Sequence, residues 1–255
     1  MKLHSILLNI TLTSMAFAST VVHHSEVRHW GYSGELSPKN WGKVSPICSN
    51  GKLQTPINIE TDKVKPLGRD ALKFFNYETD IDADVVNNGH TIKVTPLPNE
   101  SYEAPYITID GISYKLLQFH MHTHSESTID GKRSALVAHL VHQSNDGKLA
   151  VVAVFFEVGK ENLDIKKYWD KMPKHPGETI HIKHIDVAHI LPSDTSKYYT
   201  FMGSLTTPPC TEGVKWFILK DKQTLSQEQI DKLRELYSHN FRPIQDKNGR
   251  DIFER

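Results

Sequence analysis

The 255-residue sequence holds only two cysteines, Cys48 and Cys210, and no excess of charge of either sign: 30 lysines and arginines stand against 30 aspartates and glutamates. That balance leaves no electrostatic footprint for nucleic acid or for an anionic membrane surface. No apolar run reaches the length of a bilayer-spanning helix. Internal repeats, low-complexity tracts and linker-like stretches are missing too, so residues 19–255 read as one domain with ample material for a core. Helical periodicity is scarce, which argues against an alternating βαβ plan.

Residues 1–18 read as a signal peptide. Lys2 gives a positive start. Ile6, Leu7, Leu8, Ile10 and Leu12 form a short apolar stretch, and Ala16-Phe17-Ala18 is a small-x-small cleavage site. Asn9, Thr11 and Thr13 interrupt the stretch, and no cysteine follows it to carry a lipid. The expected location is secreted or periplasmic. In such a compartment a disulfide is the default for Cys48 and Cys210; two buried free thiols are the alternative without export.

What is present is a succession of short apolar runs separated by turn dipeptides, among them Asp110-Gly111, Asp130-Gly131, Asp146-Gly147 and Asn248-Gly249. The pattern predicts strands over 84–87, 90–95, 116–123, 135–142, 149–158 and 214–219. One helix is predicted after Ser226, where Ser226 and Gln229 form a capping box and Ile230, Leu233 and Leu236 or Tyr237 share a face. The fold class is mainly β (α+β), an antiparallel or mixed sheet with peripheral helices.

The 15 histidines matter through their positions. On a strand, Gln118, His120 and His122 face one way, and Phe119 and Met121 the other. On the next strand His139 and Val141 share a face, with Leu140 and His142 on the opposite one. If the strands pair, His139 completes a three-nitrogen set. Zinc accepts such a set and keeps a fourth position for water when its site is catalytic.

Further segments carry a resemblance: Gly203-Ser204-Leu205-Thr206-Thr207-Pro208-Pro209-Cys210, Asn87-Asn88-Gly89-His90, Gln118 to His122 followed by Ser125-Glu126, His29-Trp30-Gly31-Tyr32, Gln54-Thr55-Pro56-Ile57-Asn58-Ile59, and Asn240-Phe241-Arg242-Pro243. In order and content the chain resembles the α-class carbonic anhydrases, in their bacterial, secreted form, from about residue 29 to near its end. The resemblance implies a single domain on a large, twisted, mostly antiparallel sheet with a conical active-site cleft. It implies zinc-dependent hydration of carbon dioxide to bicarbonate, Zn2+ on His120, His122 and His139, and a Cys48–Cys210 disulfide anchoring the catalytic loop. Thr206 would donate to Glu126 and orient the attacking oxygen. His90 would shuttle the proton, since imidazole titrates near neutral pH, with Tyr32 and Asn88 ordering the relay waters. Thr207, Val141, Val151, Leu205 and Trp216 would line the substrate site. Gln118 and the backbone carbonyl of Asn240 would orient His120 and His122. The expected partner is a small-molecule substrate, with no nucleic acid, no membrane span, and room for a homodimer.

The sequence also departs from the family pattern. Val137, Ser127 and Phe201 stand where better-known members carry a glutamate, a histidine and a tyrosine that form one buried network around the third ligand. Removing every member of such a network can be nearly neutral, whereas removing one strands its partners. A coordinated apolar replacement is therefore expected, with His139 turning to water or a carbonyl. Lys93 replaces a polar amide, and His124 a proline, which raises an extra metal contact or a mobile polar loop as readings. Two other functions compete. His120-x-His122-x-x-x-Glu126 matches the first motif of cupins, with Glu126 as ligand, but no Pro-x-Gly-x-x-His follows. A non-catalytic zinc-binding module is the other, against which the persistence of all three histidines, Thr206 and Glu126 weighs. His23, His24 and His29 read as polarity of the N-terminal tail.

Overall fold

The computed structural model describes residues 29–69, 72–99 and 103–255. The signal peptide read at 1–18, and His23 and His24, lie outside them. Alternation along Ile81–Asn87 buries every second side chain. The near-continuous apolar runs of Leu136–Ser144 and Leu149–Val158 are buried on both faces. These strands form the middle of one 13-stranded sheet. Across it run Thr179–Ile185, Ile81–Asn87, Ile92–Pro96, Ile112–His122, Leu136–Ser144, Leu149–Val158, Glu212–Leu219, Tyr198–Ser204, Phe253–Glu254 and Lys65–Pro66. Most pairs are antiparallel. Leu149–Val158 runs parallel to Glu212–Leu219 and to the short Gln223–Leu225, and Lys65–Pro66 parallel to Phe253–Glu254.

The predicted strands are present, with shifted ends. Asp110-Gly111 closes the hairpin into Ile112–His122 with both residues at positive φ, 50° and 84°, the twist-matched two-residue turn. The strand expected from residue 90 starts at Ile92 instead. Asn88 Oδ1 accepts from the backbone N–H of His90 at 2.9 Å and of Thr91 at 2.8 Å, so His90 sits on a side-chain-capped turn. The helix after Ser226 is Gln227–Leu236, with both halves of the capping box made and Ile230 and Leu233 fully buried. A second helix, Leu163–Trp169, is capped by Asn162. Among the described residues no helix is long and apolar enough to cross a membrane.

The sheet separates two apolar clusters. Phe119, Met121, Ala138 and Leu140 belong to the larger one, covered by the helices through Ile165, Trp169, Ile230 and Leu233. Val137, Val141, Val151, Phe201 and Trp216 belong to the other, on the face that carries the histidines. His142 points into the larger cluster, fully buried, with Nε2 2.5 Å from the Tyr77 hydroxyl. Burial pushes its pKa down to about 3, so this ring is neutral. Cys48 and Cys210 are joined, with Cα atoms 5.1 Å apart and 162 positions of chain between them.

Candidate active site

Strand register assembles the site in rows. His120 pairs with His139, His122 with Val137, and Gln118 with Val141. Directly opposed residues project from the same face, so the three histidines form a triangle on two central strands. The Gln118 row continues through Val141, Val151, Trp216 and Phe201 across four neighbouring strands. A band of apolar side chains thus runs beside the histidines, with Leu205 packed against it. The Trp216 ring meets His139 edge-on at 5.0 Å, and Trp216 Nε1 donates to Ser204 O at 3.0 Å.

One ligand atom from each of His120, His122 and His139 lies within 4.8 Å of the others. His120 Nδ1 is 2.8 Å from Gln118 Oε1, and His122 Nδ1 is 2.5 Å from Asn240 O. A carbonyl oxygen only accepts, so each Nδ1 carries its hydrogen and, in the neutral ring, Nε2 offers a lone pair. His122 Nε2 and Glu126 Oε2 are buried without a hydrogen-bond partner and stand 3.6 Å apart; His139 Nδ1 is 3.9 Å from the same oxygen. Burial, reinforced by His122, pushes His120 and His139 well below their ordinary pKa, which keeps them in the neutral form that metal binding requires. Converging bare acceptors of this kind fit a cation, and three imidazole donors suit zinc. His124 is not part of the group: it is exposed, with its ring 6.1 Å from Phe241.

Glu126 is fully buried and has one oxygen fixed. Oε1 accepts from the backbone N–H of Arg242 at 2.8 Å. The hydrogen bond from Thr206 that the sequence led us to expect is not made, since Oε2 is turned toward the histidines without a donor. Thr206 is itself buried, on the loop between Tyr198–Ser204 and Glu212–Leu219.

A cavity of about 130 Å³ opens from the histidines toward solvent, lined among others by Tyr32, Asn88, His90, Lys93, Gln118 and Thr207. His90 stacks on Trp30 at 3.6 Å, with the rings 10° apart. Partial burial, aided by His29, lowers its pKa. Burial and then the Glu126 charge push the Tyr32 phenol well up, so it stays protonated. Asn88 has its oxygen committed to the turn, which leaves its NH2 for the cavity.

Two contributors escaped the sequence reading. Trp30 carried no signal beyond its place in the His29–Tyr32 motif. Arg242 lay in a quoted motif without a role. Buried at 2% exposure, it donates from Nη2 to Cys48 O at 2.7 Å and from Nη1 to Gln54 Oε1 at 2.9 Å and Thr55 O at 2.8 Å. One residue therefore fixes both Glu126 and the turn that carries the disulfide. The Asn240 side chain was missed as well: it accepts from Thr123 N at 2.8 Å and donates to Met121 O at 3.1 Å, seating the carbonyl that serves His122.

The surroundings of His139 differ from those of the other two ligands. Val137 is fully buried, Phe201 stacks parallel to Trp216 at 6.3 Å, and Ser127 Oγ accepts from Ile57 N at 3.4 Å. Of the three positions, Val137 and Phe201 are apolar and Ser127 is engaged elsewhere, and among the described residues no carboxylate hydrogen-bonds the third ligand, Glu126 Oε2 standing 3.9 Å from His139 Nδ1.

A family model described as eukaryotic-type carbonic anhydrase matches residues 36–255. A carbonic anhydrase of Klebsiella pneumoniae is 42% identical over 234 residues, 89% of this chain and 91% of that protein. One of Neisseria gonorrhoeae is 39% identical over 249 residues, 96% and 94% of the two chains. Among solved structures, the α-carbonic anhydrase of Thermovibrio ammonificans in complex with sulfanilamide matches with a TM-score of 0.82 at 40% identity, covering 88% of this chain and 98% of that one. The matched stretch takes in the three histidines, the buried glutamate and the apolar band on their flank, and the chain belongs to the α-carbonic anhydrase family.

Proposed function

We propose that the protein is a carbonic anhydrase that hydrates carbon dioxide reversibly to bicarbonate and a proton, with zinc held by His120, His122 and His139. The observation that carries this is the triangle of imidazoles, His122 and His139 buried and His120 at the cavity floor, two of the three oriented by fixed acceptors, set between a buried carboxylate and an apolar wall. Zinc in such a site supplies Lewis acidity, bringing a water pKa to about 7, the value established for carbonic anhydrase itself.

The chain's own residues do the rest. Gln118 and Asn240 hold His120 and His122 in the tautomer that presents a lone pair. Glu126, anchored by the Arg242 N–H, has Oε2 free to accept from Thr206. A hydroxyl that donates to a carboxylate must accept from its other neighbour, so Thr206 would fix the attacking oxygen with a lone pair toward the substrate. Val141, Val151, Leu205 and Trp216 give an uncharged, apolar molecule a surface without competing water. Tyr32, Asn88 and Thr207 offer polar groups for water between the metal and His90. His90 would accept the released proton and pass it to buffer, its stack on Trp30 placing it at the cavity mouth. The disulfide supports the further proposal that residues 1–18 are an export leader and that the protein works in a secreted or periplasmic setting.

The test is stopped-flow carbon dioxide hydration by the full chain, loaded with zinc and stripped by a chelator. Hydration that is lost on stripping and returns with zinc supports the assignment. One bound zinc per chain with no hydration would remove it and favour a binding role.

The apolar environment of His139 makes a second prediction. Val137→Glu places a carboxylate two residues along the same strand face, facing the same pocket as His139. Outer partners of this kind are worth about 10–100-fold in metal affinity, so the zinc dissociation constant should fall by about that factor in chelator competition. The apo variant should lose stability, because a buried charge is costly without a partner. Unchanged or weaker zinc binding would contradict the idea that His139 lacks an anionic partner.

A further inference from the structure

Glu126 is held at both of its ends. Inside, its carboxylate Oε1 accepts from the backbone N–H of Arg242 at 2.8 Å. Outside, its main-chain carbonyl accepts from Arg133 Nη1 at 2.7 Å, and the same nitrogen donates to the carbonyl of Ser125. Arg133 is half-buried and starts from a fixed point. The next residue, Ser134, is laced to Ser125: Ser125 N donates to Ser134 O at 3.0 Å, and Ser134 N to Ser125 Oγ at 2.9 Å. The Arg133 guanidinium lies over the ring of Phe241, 4.5 Å from its centre, and Phe241 directly precedes Arg242. The contacts therefore close on themselves. They run from the Glu126 carbonyl to Arg133, to Phe241, along the chain to Arg242, and back to the Glu126 carboxylate. A guanidinium suits the corner of such a ring, because its flat face stacks on an aromatic while its edge donates to oxygens, a geometry that an ammonium lacks. Glu126 Oε2, the oxygen turned toward the histidines, has no hydrogen-bond partner, so its place depends on this ring.

We propose that Arg133, with Phe241 as its platform, is a positioning residue for Glu126, and that it acts on the rate of hydration through the placement of Oε2, without touching metal or substrate. The inference rests on the function proposed above, in which that oxygen accepts from the Thr206 hydroxyl. With Arg133 gone, the main chain of residues 125–126 is free to shift while Arg242 still grips the other carboxylate oxygen. The carboxylate then turns away from Thr206 and stays in the site. His122 is aimed by Asn240, whose side chain has its own anchors on Thr123 and Met121. The loss therefore falls on the rate before it falls on zinc affinity.

The experiment measures stopped-flow hydration, zinc affinity by chelator competition and thermal unfolding, all on the full chain. Arg133→Met should lower kcat/KM about 10- to 100-fold, since a misplacement on the order of 1 Å far from the chemistry can cost about 100-fold. Its zinc dissociation constant should move by much less than the roughly 10–100-fold that follows loss of a ligand's outer partner. Phe241→Leu should copy these effects, and Phe241→Tyr, which keeps the ring, should restore most of the rate. In a Glu126→Gln background, Arg133→Met should cost less than about threefold more, because residues that act as one unit are not additive. A purely structural arginine would cost the same in both backgrounds. If Arg133→Met unfolds below the assay temperature, Phe241→Leu carries the same cycle. Parental kcat/KM in Arg133→Met, full additivity with Glu126→Gln, or a zinc dissociation constant that rises as far as the rate falls overturns the proposal. A parent that binds zinc and hydrates no carbon dioxide removes the proposed function and this inference with it; a hydrating parent with unmoved variants removes this inference alone.

Discussion

Replacing His139 with alanine is expected to reduce zinc affinity by more than the 10–100-fold typical of an outer partner, and to take carbon dioxide hydration down with it. Three protein ligands are the usual complement of a catalytic zinc with one position left for water. Two would leave the ion exchanging with solvent, and would also leave Glu126 Oε2, 3.9 Å from His139 Nδ1, facing an enlarged gap. His139 is 3% exposed and packs on Trp216, so the alanine variant also opens a cavity and should lose stability. Metal content and thermal stability must therefore be read together with stopped-flow rates. Loss of zinc with the fold retained supports the assignment. An alanine variant that keeps both metal and rate would show that the ion sits elsewhere. His122→Ala should be at least as damaging, because it also releases the Asn240 carbonyl that its ring holds at 2.5 Å.

Replacing Cys48 and Cys210 by serine is the other large effect. The bridge closes a loop of 162 positions, for which the chain-entropy description gives stabilisation on the order of 5 kcal/mol. In a chain of this size that corresponds to about 10–20 °C in Tm. The loss should reach the rate as well. Cys210 lies four residues after Thr206 on the same loop, its N–H donates to Thr207 O at 2.8 Å, and its carbonyl accepts from Gln54 at 3.1 Å. Gln54 in turn accepts from Arg242, whose backbone holds Glu126. Calorimetry on the double variant, with hydration measured at a temperature where it remains folded, separates the two losses. A Tm shift of less than about 2 °C would mean that the bridge adds little to the unfolded-state constraint.

These two sites also show where the sequence was readable. The alternation that put His120 and His122 on one face, and His139 with Val141 on one face of the next strand, depends only on the period of two in a strand. It survived unchanged in the register. The capping box at Ser226 is equally local. Residue 90 was misplaced onto a strand because the apolar pattern at 92–94 was extended back through a turn whose driving force is a side chain, that of Asn88. Arg242 and Trp30 were invisible for a different reason. Their contacts reach 194 positions away, to Cys48, in one case and to His90 in the other, and no periodicity encodes such distances. The Thr206–Glu126 contact came from resemblance alone, and the structure leaves that hydrogen bond unmade.

The ligands lie in the middle of the chain, and Gln118, which aims His120, lies beside them, yet two of the site's other anchors arrive near the chain's end. His122 is served by Asn240, 118 positions later, and Glu126 by Arg242, 116 positions later. The order of assembly follows. A growing chain can form the hairpin that bears all three histidines long before either partner exists, and such a hairpin offers a His122 with a free tautomer and an unanchored carboxylate. Discriminating metal capture has to wait until the last segment docks. The ion the protein keeps is then decided by the solution in which folding finishes, not by the one in which synthesis begins.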